Sequence, residues 1–335
     1  MMLVRKGLKN PRIVIDFLLP VVLLLFPLGL RAQALGSAAM SSFPADTREI
    51  AYTNLAQLRN SPNYAQIRQQ LLNQQLRYFQ DFLRSMGLNP EADADEVALG
   101  WRGEAAGATG FFGMAAGRFH PDLIQKYFST NKLPVRQYDG SDLYAFGSGA
   151  DPTDTYFTFL DSGTAAFGHL PDLKALLDVR AGSAKALGAN TAFSGWEAEL
   201  EGTAAQWGIL NGKAASNLAA GWLADVKKPS GDLAAFMSPV QAILYSVDWE
   251  SNFYAHVAVV CQDAKSAQTF SNLLTLLQNV SQQQSAATAG SASAPPGVNS
   301  LLQNAQVQQD GSRVVLDLSG SAQALSQIIH PGSAG

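Results

Sequence analysis

The sequence holds one cysteine, Cys261, in 335 residues. An intramolecular disulfide is therefore impossible. A zinc or iron–sulfur site built from several thiolates is excluded as well. Charge is also scarce: 15% of residues are Asp, Glu, Lys or Arg, against about 25% in an ordinary globular chain. No Lys/Arg cluster occurs along the body, and nucleic-acid affinity rests mainly on neutralising phosphates. No nucleic-acid partner is expected. The G-x-S-x-G elbow of serine hydrolases is missing, as are a phosphate-cradling glycine loop and the D-x-D-x-D-G calcium pattern. After the N-terminal segment, no apolar run is long enough to span a bilayer.

What is present begins with an address. Arg5, Lys6, Lys9 and Arg12 form a basic n-region. Phe17–Leu30 is an apolar h-region, and Ala32-Gln33-Ala34 is an A-x-A site with small residues where signal peptidase needs them. Residues 1–34 are expected to be a signal peptide cleaved after Ala34, which directs the chain to an extracytoplasmic compartment, the periplasm or cell envelope. An uncleaved anchor is the alternative, and this segment would then be the chain's membrane contact. Removing these residues leaves 18 basic and 26 acidic side chains, a net charge of −8. Hydrophobic residues make up 47% of the chain, enough for a sizeable core.

Periodicity sketches the body. Residues 35–48 form a polar lead. Glu49–Ala56 alternates as a strand, and Ser61-Pro62 opens a long helix to Met86. Strands follow at 96–104 and 108–118, and His120-Pro121-Asp122 opens a helix. Asp139-Gly140 and Ser162-Gly163 mark two hairpin turns. His169-Leu170-Pro171-Asp172 opens the next helix. A Gly/Ala/Ser-rich stretch at 181–190 begins a linker region, 181–204. Beyond it, residues 240–250 and 253–262 pair as strands, and Asp263 opens a helix to about Val280. A low-complexity loop spans 281–297. A hairpin turns at Asp310-Gly311, and Ser321–Ile329 forms a last helix.

The two halves read alike, with one extra hairpin in the first. The pattern predicts an α+β fold of two tandem, duplicated units, 49–180 and 205–330. Each is an antiparallel sheet covered by helices on one face.

The chemistry-bearing residues are sparse. "GRFHPDL" (117–123) and "AFGHLPDL" (166–173) are near-copies, and His120 and His169 within them invite a metal site. Proline in the first turn, aspartate beside it and an extended residue ahead make each a strand-to-helix corner instead. His256 alternates onto the opposite face of its strand from Cys261, so the two cannot pair there. Cys261 reads as a buried small apolar residue. His330 falls at a helix end, where its charge is favourable. "STNK" (129–132) matches S-x-x-K by chance, since it ends a helix rather than starting one. Glu91, Asp93, Asp95 and Glu96 form an acidic loop, read as solvated rather than calcium-binding. Trp101, Trp207, Trp222 and Trp249 read as packing residues. The glycines of "GATGFFGMAAG" (107–117) read as points of close approach in a strand.

The runs "GRFHPDLIQKYF", "YDGSDLYAF" and "FTFLDSGTAAFGHLPDLKALLD" resemble a group of exported bacterial proteins of unknown function. The resemblance covers Glu49 to Val179 well and the second half weakly. It implies export and a fold, and it brings no activity.

No residue is therefore assigned a catalytic, cofactor-binding or metal-binding role, and no cofactor is expected. The leading expectation is an exported, non-enzymatic envelope protein that acts as a binding or interaction module. Its partner would be an envelope protein or an apolar ligand. Two alternatives stand beside it. One is an envelope hydrolase using distant carboxylates, for example Asp139, Asp142 and Asp161. The other is a carrier with an apolar groove.

Overall fold

The computed structural model describes residues 35–320, apart from 66–67, 69–73, 103–110, 152–153, 201, 203, 213, 216–237, 250–251 and 289–304. The expectations for the signal segment, Trp222, the last helix and His330 lie outside the described residues. The chain divides into compact units between residues 34 and 35. Among the described residues, no helix is long and apolar enough to cross a membrane.

Among the described residues, twelve strands form one antiparallel sheet in the order β11-β12-β10-β9-β8-β1-β2-β3-β7-β6-β5-β4. The left-hand strands are β8 (Gln206–Asn211), β9 (Val240–Trp249), β10 (Phe253–Cys261), β11 (Gln306–Asp310) and β12 (Arg313–Gly320). The right-hand strands are β1 (Glu49–Asn54), β2 (Ala94–Trp101), β3 (Phe111–Gly117), β4 (Val135–Tyr138), β5 (Ser141–Phe146), β6 (Thr155–Phe159) and β7 (Thr164–His169). The two halves of the chain meet at β1 and β8, which pair antiparallel with Glu49 opposite Leu210 and Thr53 opposite Gln206.

Among the described residues, eight α-helices accompany the sheet: α1 (Leu35–Ser42), α2 (Leu55–Leu58), α3 (Gln74–Ser85), α4 (Pro90–Asp93), α5 (Pro121–Asn131), α6 (Leu170–Arg180), α7 (Thr191–Leu200) and α8 (Ala264–Thr288). They cover both faces of the sheet, where one covered face was expected. On the first face, Leu35, Ala39 and Met40 of α1, Leu173, Leu176 and Leu177 of α6, and Phe193 and Leu200 of α7 pack on Ile50, Ala98, Phe112, Trp207 and Leu244. On the second, Ile124 and Phe128 of α5 pack on Ala115 and Phe167. Phe270 and Leu274 of α8 pack there on Ile243, Val257 and Val314. The reason is in the strands. β9 and β10 carry buried apolar residues at consecutive positions, such as Ile243-Leu244 and Val257 to Cys261. A strand apolar on both sides must be roofed on both sides.

Three segments differ from expectation in related ways. The polar lead contains α1, whose Leu35 and Ala39 are buried, and it ends on Phe43, fully buried with its ring edge-on to Phe112 at 4.8 Å. The linker region contains α7, with Phe193 fully buried. The low-complexity loop is helical at its start, since α8 runs to Thr288. Small residues such as Ala, Ser and Gly read as linker by composition. Their small size also lets helices lie close to a sheet, and tertiary packing decides between the two.

The corners stand as expected. Pro121 and Pro171 lie in the first turns of α5 and α6, with Asp122 and Asp172 beside them. Asp139-Gly140 turns the β4–β5 hairpin with both residues left-handed, at φ 46° and 76°.

Candidate functional site

The candidate site grows out of β9, β10 and β12 where the roof of α7 stops. On the first face, the alternating positions of β9 read Ala242, Leu244, Ser246, Asp248. Those of β10 read Val260, Ala258, His256, Tyr254 over the same distance. The registers place Leu244 opposite Ala258, Ser246 opposite His256, and Asp248 opposite Tyr254. Across β10's other edge, His256 faces Asp317 and Tyr254 faces Ser319. Gln306 of β11 stands opposite Asp317. The apolar stripe therefore turns polar on β9, β10 and β12 at the same level. Leu244 and Ala258 belong to the core under the helices. One row on, Glu199 and Leu200 end α7, and the positions beneath are polar.

The result is a cleft of about 690 Å³. Its floor is the row Ser246, His256, Asp317 and Gln306, with Asp248, Tyr254 and Ser319 one row further out. Glu199 and Leu200 form its wall. Tyr254 is 53% exposed, an aromatic surface beside three carboxylates. Each carboxylate has a structural partner. Asp317 Oδ1 lies 2.7 Å from Nδ1 of His256. Glu199 pairs with Arg313 at 2.5 Å. Asp248 accepts the backbone N–H of Ala205 at 3.2 Å, which ties the chain entering β8 to β9.

The chemistry of the floor follows from these contacts. A carboxylate only accepts, so a neutral His256 donates Nδ1–H to Asp317 and keeps Nε2 as an acceptor. Ser246, His256 and Asp317 align across three adjacent strands in the residue types of an acyl-transfer triad. Two features separate them from one. Among the described residues, Ser246 and His256 share no hydrogen bond. β9, β10 and β12 are also interior strands, paired on both edges. Along the row of Ser246, His256 and Asp317 the strands are laddered on both edges, so this row is not built as an oxyanion cradle.

The residues singled out in the sequence fall elsewhere or fall apart. His120 and His169 sit at opposite ends of β3. His169 stacks edge-on to Phe111 at 5.1 Å, and His120 follows Gly117 by three residues. Seven residues of strand, roughly 20 Å, separate the two ends. Asp172, just inside α6, reaches Arg102, which also grips Asp46 at 2.6 Å. The acidic loop is consumed by arginines: Glu91 pairs with Arg68 and Arg84, and Asp95 with Arg59 at 2.6 Å. Asp93 caps its own turn through Asn89 N–H at 2.8 Å. Among the described residues, no group of three or more His, Cys, Asp or Glu side chains could hold a metal ion. Asp161 accepts the N–H of Gly163, and Asp142 accepts from Gln137 across its hairpin. These aspartates build turns, and none lines the cleft. Ser129 ends α5, and Lys132 caps it left-handed at φ 53°.

Cys261 lies in the apolar cluster under α8. Burial, with Asp263 nearby, pushes its thiol up to about 11. Trp207 is buried and stacks on Tyr52 at 5.2 Å, while Trp249 donates Nε1–H to Gln206 at 2.5 Å. Both are packing residues.

Of the cleft residues, sequence reasoning singled out only His256, and judged it inert. The missed signal was the switch from apolar to polar at alternate positions of 242–248, 254–260 and 315–319. Each strand alone looks like an ordinary strand end, and only the register aligns the switches.

No family model matches the chain, and no curated protein sequence matches it. Solved structures of TP0453 are similar to it. Crystal form I has a TM-score of 0.52 at 12% identity, over 87% of this chain and 96% of that one. Form III has a TM-score of 0.52 at 13% identity, over 87% and 97%. Form IV has a TM-score of 0.50 at 12% identity, over 88% and 98%. At that identity the likeness concerns the fold alone.

Proposed function

We propose that this chain is an exported, non-enzymatic binding module of the cell envelope, and that the cleft on β9, β10 and β12 receives a polar ligand. Cleavage after Ala34 delivers the body to the extracytoplasmic side. The observation that carries the binding reading is the state of the cleft's acids. Glu199, Asp248 and Asp317 are each engaged by a structural partner. Such groups form a rigid, negatively charged rim, suited to recognising a ligand rather than to exchanging protons with it. The exposed ring of Tyr254 adds a face for a cation or a sugar. This lining favours a cationic or hydroxyl-rich occupant over the apolar one expected from composition.

The fold has a reading of the same standing: two copies of one unit. In each half a three-strand meander (β1-β2-β3, β8-β9-β10) is followed by a helix on the second face, α5 or α8. The last strand of the half, β7 or β12, then returns beside the third. The first half adds the β4–β5 hairpin outside. Repetition of so specific a path supports duplication.

Native mass spectrometry of the purified exported protein, incubated with envelope extract, tests the binding reading. A polar small molecule retained by the wild type should be lost at least tenfold in a Tyr254→Ala, Asp317→Asn double variant. Equal retention by both, or none by either, overturns it. A second reading, ester hydrolysis, is favoured by the alignment of Ser246, His256 and Asp317 alone. Turnover of an ester panel that Ser246→Ala abolishes would replace the binding reading with that one.

A further inference from the structure

We infer that processing after Ala34 creates a charged chain end that docks inside the fold, with the α-ammonium of Leu35 held by Glu96. The inference rests on the export reading above, and it concerns what the new terminus does.

Four observations meet at one atom. The backbone nitrogen of Leu35 donates to Oε2 of Glu96 at 2.9 Å, across 61 residues of sequence. Glu96 sits on β2 and faces the helices of the first face, opposite Asn54 on β1. Leu35 itself is 3% exposed and packs in the same core as Ala39, Met40 and Trp207. The bond between residues 34 and 35 is the one that the A-x-A motif marks for cleavage. A second carboxylate closes the site. Glu197 of α7, 8% exposed, accepts from Ser37 Oγ at 3.3 Å. Its Oε1 lies 3.8 Å from where a side chain at Gly36 would begin, and that same position is 2.8 Å from the ring of Trp207. The first turn of α1 is thus pressed onto Trp207, between two acids.

Charge arithmetic favours an ammonium there. The start of a helix carries about half a positive charge. The Glu96 carboxylate supplies a full negative one, more than a neutral peptide N–H needs. Cleavage adds one positive charge at the nitrogen that already touches Glu96. The hydrogen bond becomes an ion pair in surroundings with little water, where such a bond is roughly twice as strong as a neutral one. The order of events follows from burial. Signal peptidase needs residues on both sides of the bond extended and accessible, and Leu35 in the folded body is neither. Cleavage therefore precedes the docking of α1, and the mature end completes the first face of the core.

The test has two stages that fail separately. Terminal sequencing of the exported protein should begin at Leu35. A chain beginning at Met1 or elsewhere overturns the cleavage reading and this inference with it. On protein that begins at Leu35, the rate at which limiting acetic anhydride modifies the α-amino group at pH 7.5 is then compared with that of the unfolded chain. Docking should slow the reaction about sevenfold or more, the effect at pH 7.5 of a one-unit rise in an α-amine pKa near 8. Glu96→Gln, which keeps an oxygen acceptor, should bring the rate back to within about threefold of the unfolded chain. A chain retaining Ala34 moves the ammonium one residue outward. Its unfolding equilibrium constant should rise about tenfold relative to the chain starting at Leu35. If the amine of the Leu35 chain reacts at the unfolded rate, or if retained Ala34 leaves stability unchanged, cleavage stands and the docking inference falls.

Discussion

Gly113 shows how much a single position can carry. A Cβ there would lie 2.7 Å from the carbonyl oxygen of Ala98 on the neighbouring strand and 2.7 Å from Cζ of Phe167. One contact is backbone and cannot step aside. Gly113→Ala should therefore destabilise the protein by about 1–3 kcal/mol, read as a lower urea midpoint with an unchanged slope. Glu49 makes a pH-dependent prediction. Burial raises its carboxyl from 4.5 to about 7, and the same surroundings, with Glu49 close by, push the Tyr245 phenol upward. The folded state then holds a proton that the unfolded chain has released between those two values. Stability is greatest below pH 4.5 as far as this group is concerned, and its contribution is lost as pH rises through 7. Glu49→Gln should flatten this slope and stabilise the protein at pH 8 by about 2 kcal/mol, measured by urea unfolding at pH 5 and pH 8. A greater wild-type stability at pH 8 than at pH 5, unaffected by the substitution, would contradict it. Cys261, with its thiol raised and buried, should resist iodoacetamide in the native protein and react once unfolded. Cys261 as a buried apolar residue was legible from strand alternation. Glu49 was not, because desolvation depends on which distant segments close over it.

Elements repeat this division. The hairpins and the two proline corners were readable because their causes are local. Asp139-Gly140 needs left-handed backbone, and proline needs the first turn of a helix. α1 and α7 were not readable, since Ala, Ser and Gly specify little by themselves and their helices are stabilised by what they cover. α1 is tied in at its far end by Phe43. Phe43→Ala should cost about 3–5 kcal/mol, measured by thermal unfolding followed at 222 nm. A loss below about 1 kcal/mol would mean that α1 is a loose strap and not a part of the core.

At the scale of the whole molecule, the central pairing of β1 with β8 joins both halves into one sheet. The first-face core runs through it, from Leu143 and Ala166 to Ala242 and Ala258. Two domains joined by a linker would melt separately. One continuous core should melt once, with tryptophan fluorescence and circular dichroism tracing the same transition. Two resolved transitions would restore the picture of independent units. The internal likeness of the halves was visible in the order of elements, but the shared sheet was not. Sequence order records the path of the chain, and the antiparallel pairing of β1 with β8 joins Ala51 to Gly208, 157 positions apart, at its centre. The cleft has the same origin. Its parts are ordinary strand ends until the register lines them up, so no one strand announces it.

By itself the amino-acid sequence determined the α+β class, the corners and the turns. These follow from backbone stereochemistry and from periodicities of a few residues. Only the tertiary structure decided that helices roof both faces, that α1 and α7 belong to the core, and that Ser246, His256 and Asp317 share a row. Each of these depends on burial and on pairing between distant segments, whose free energy is gained only when the partners meet.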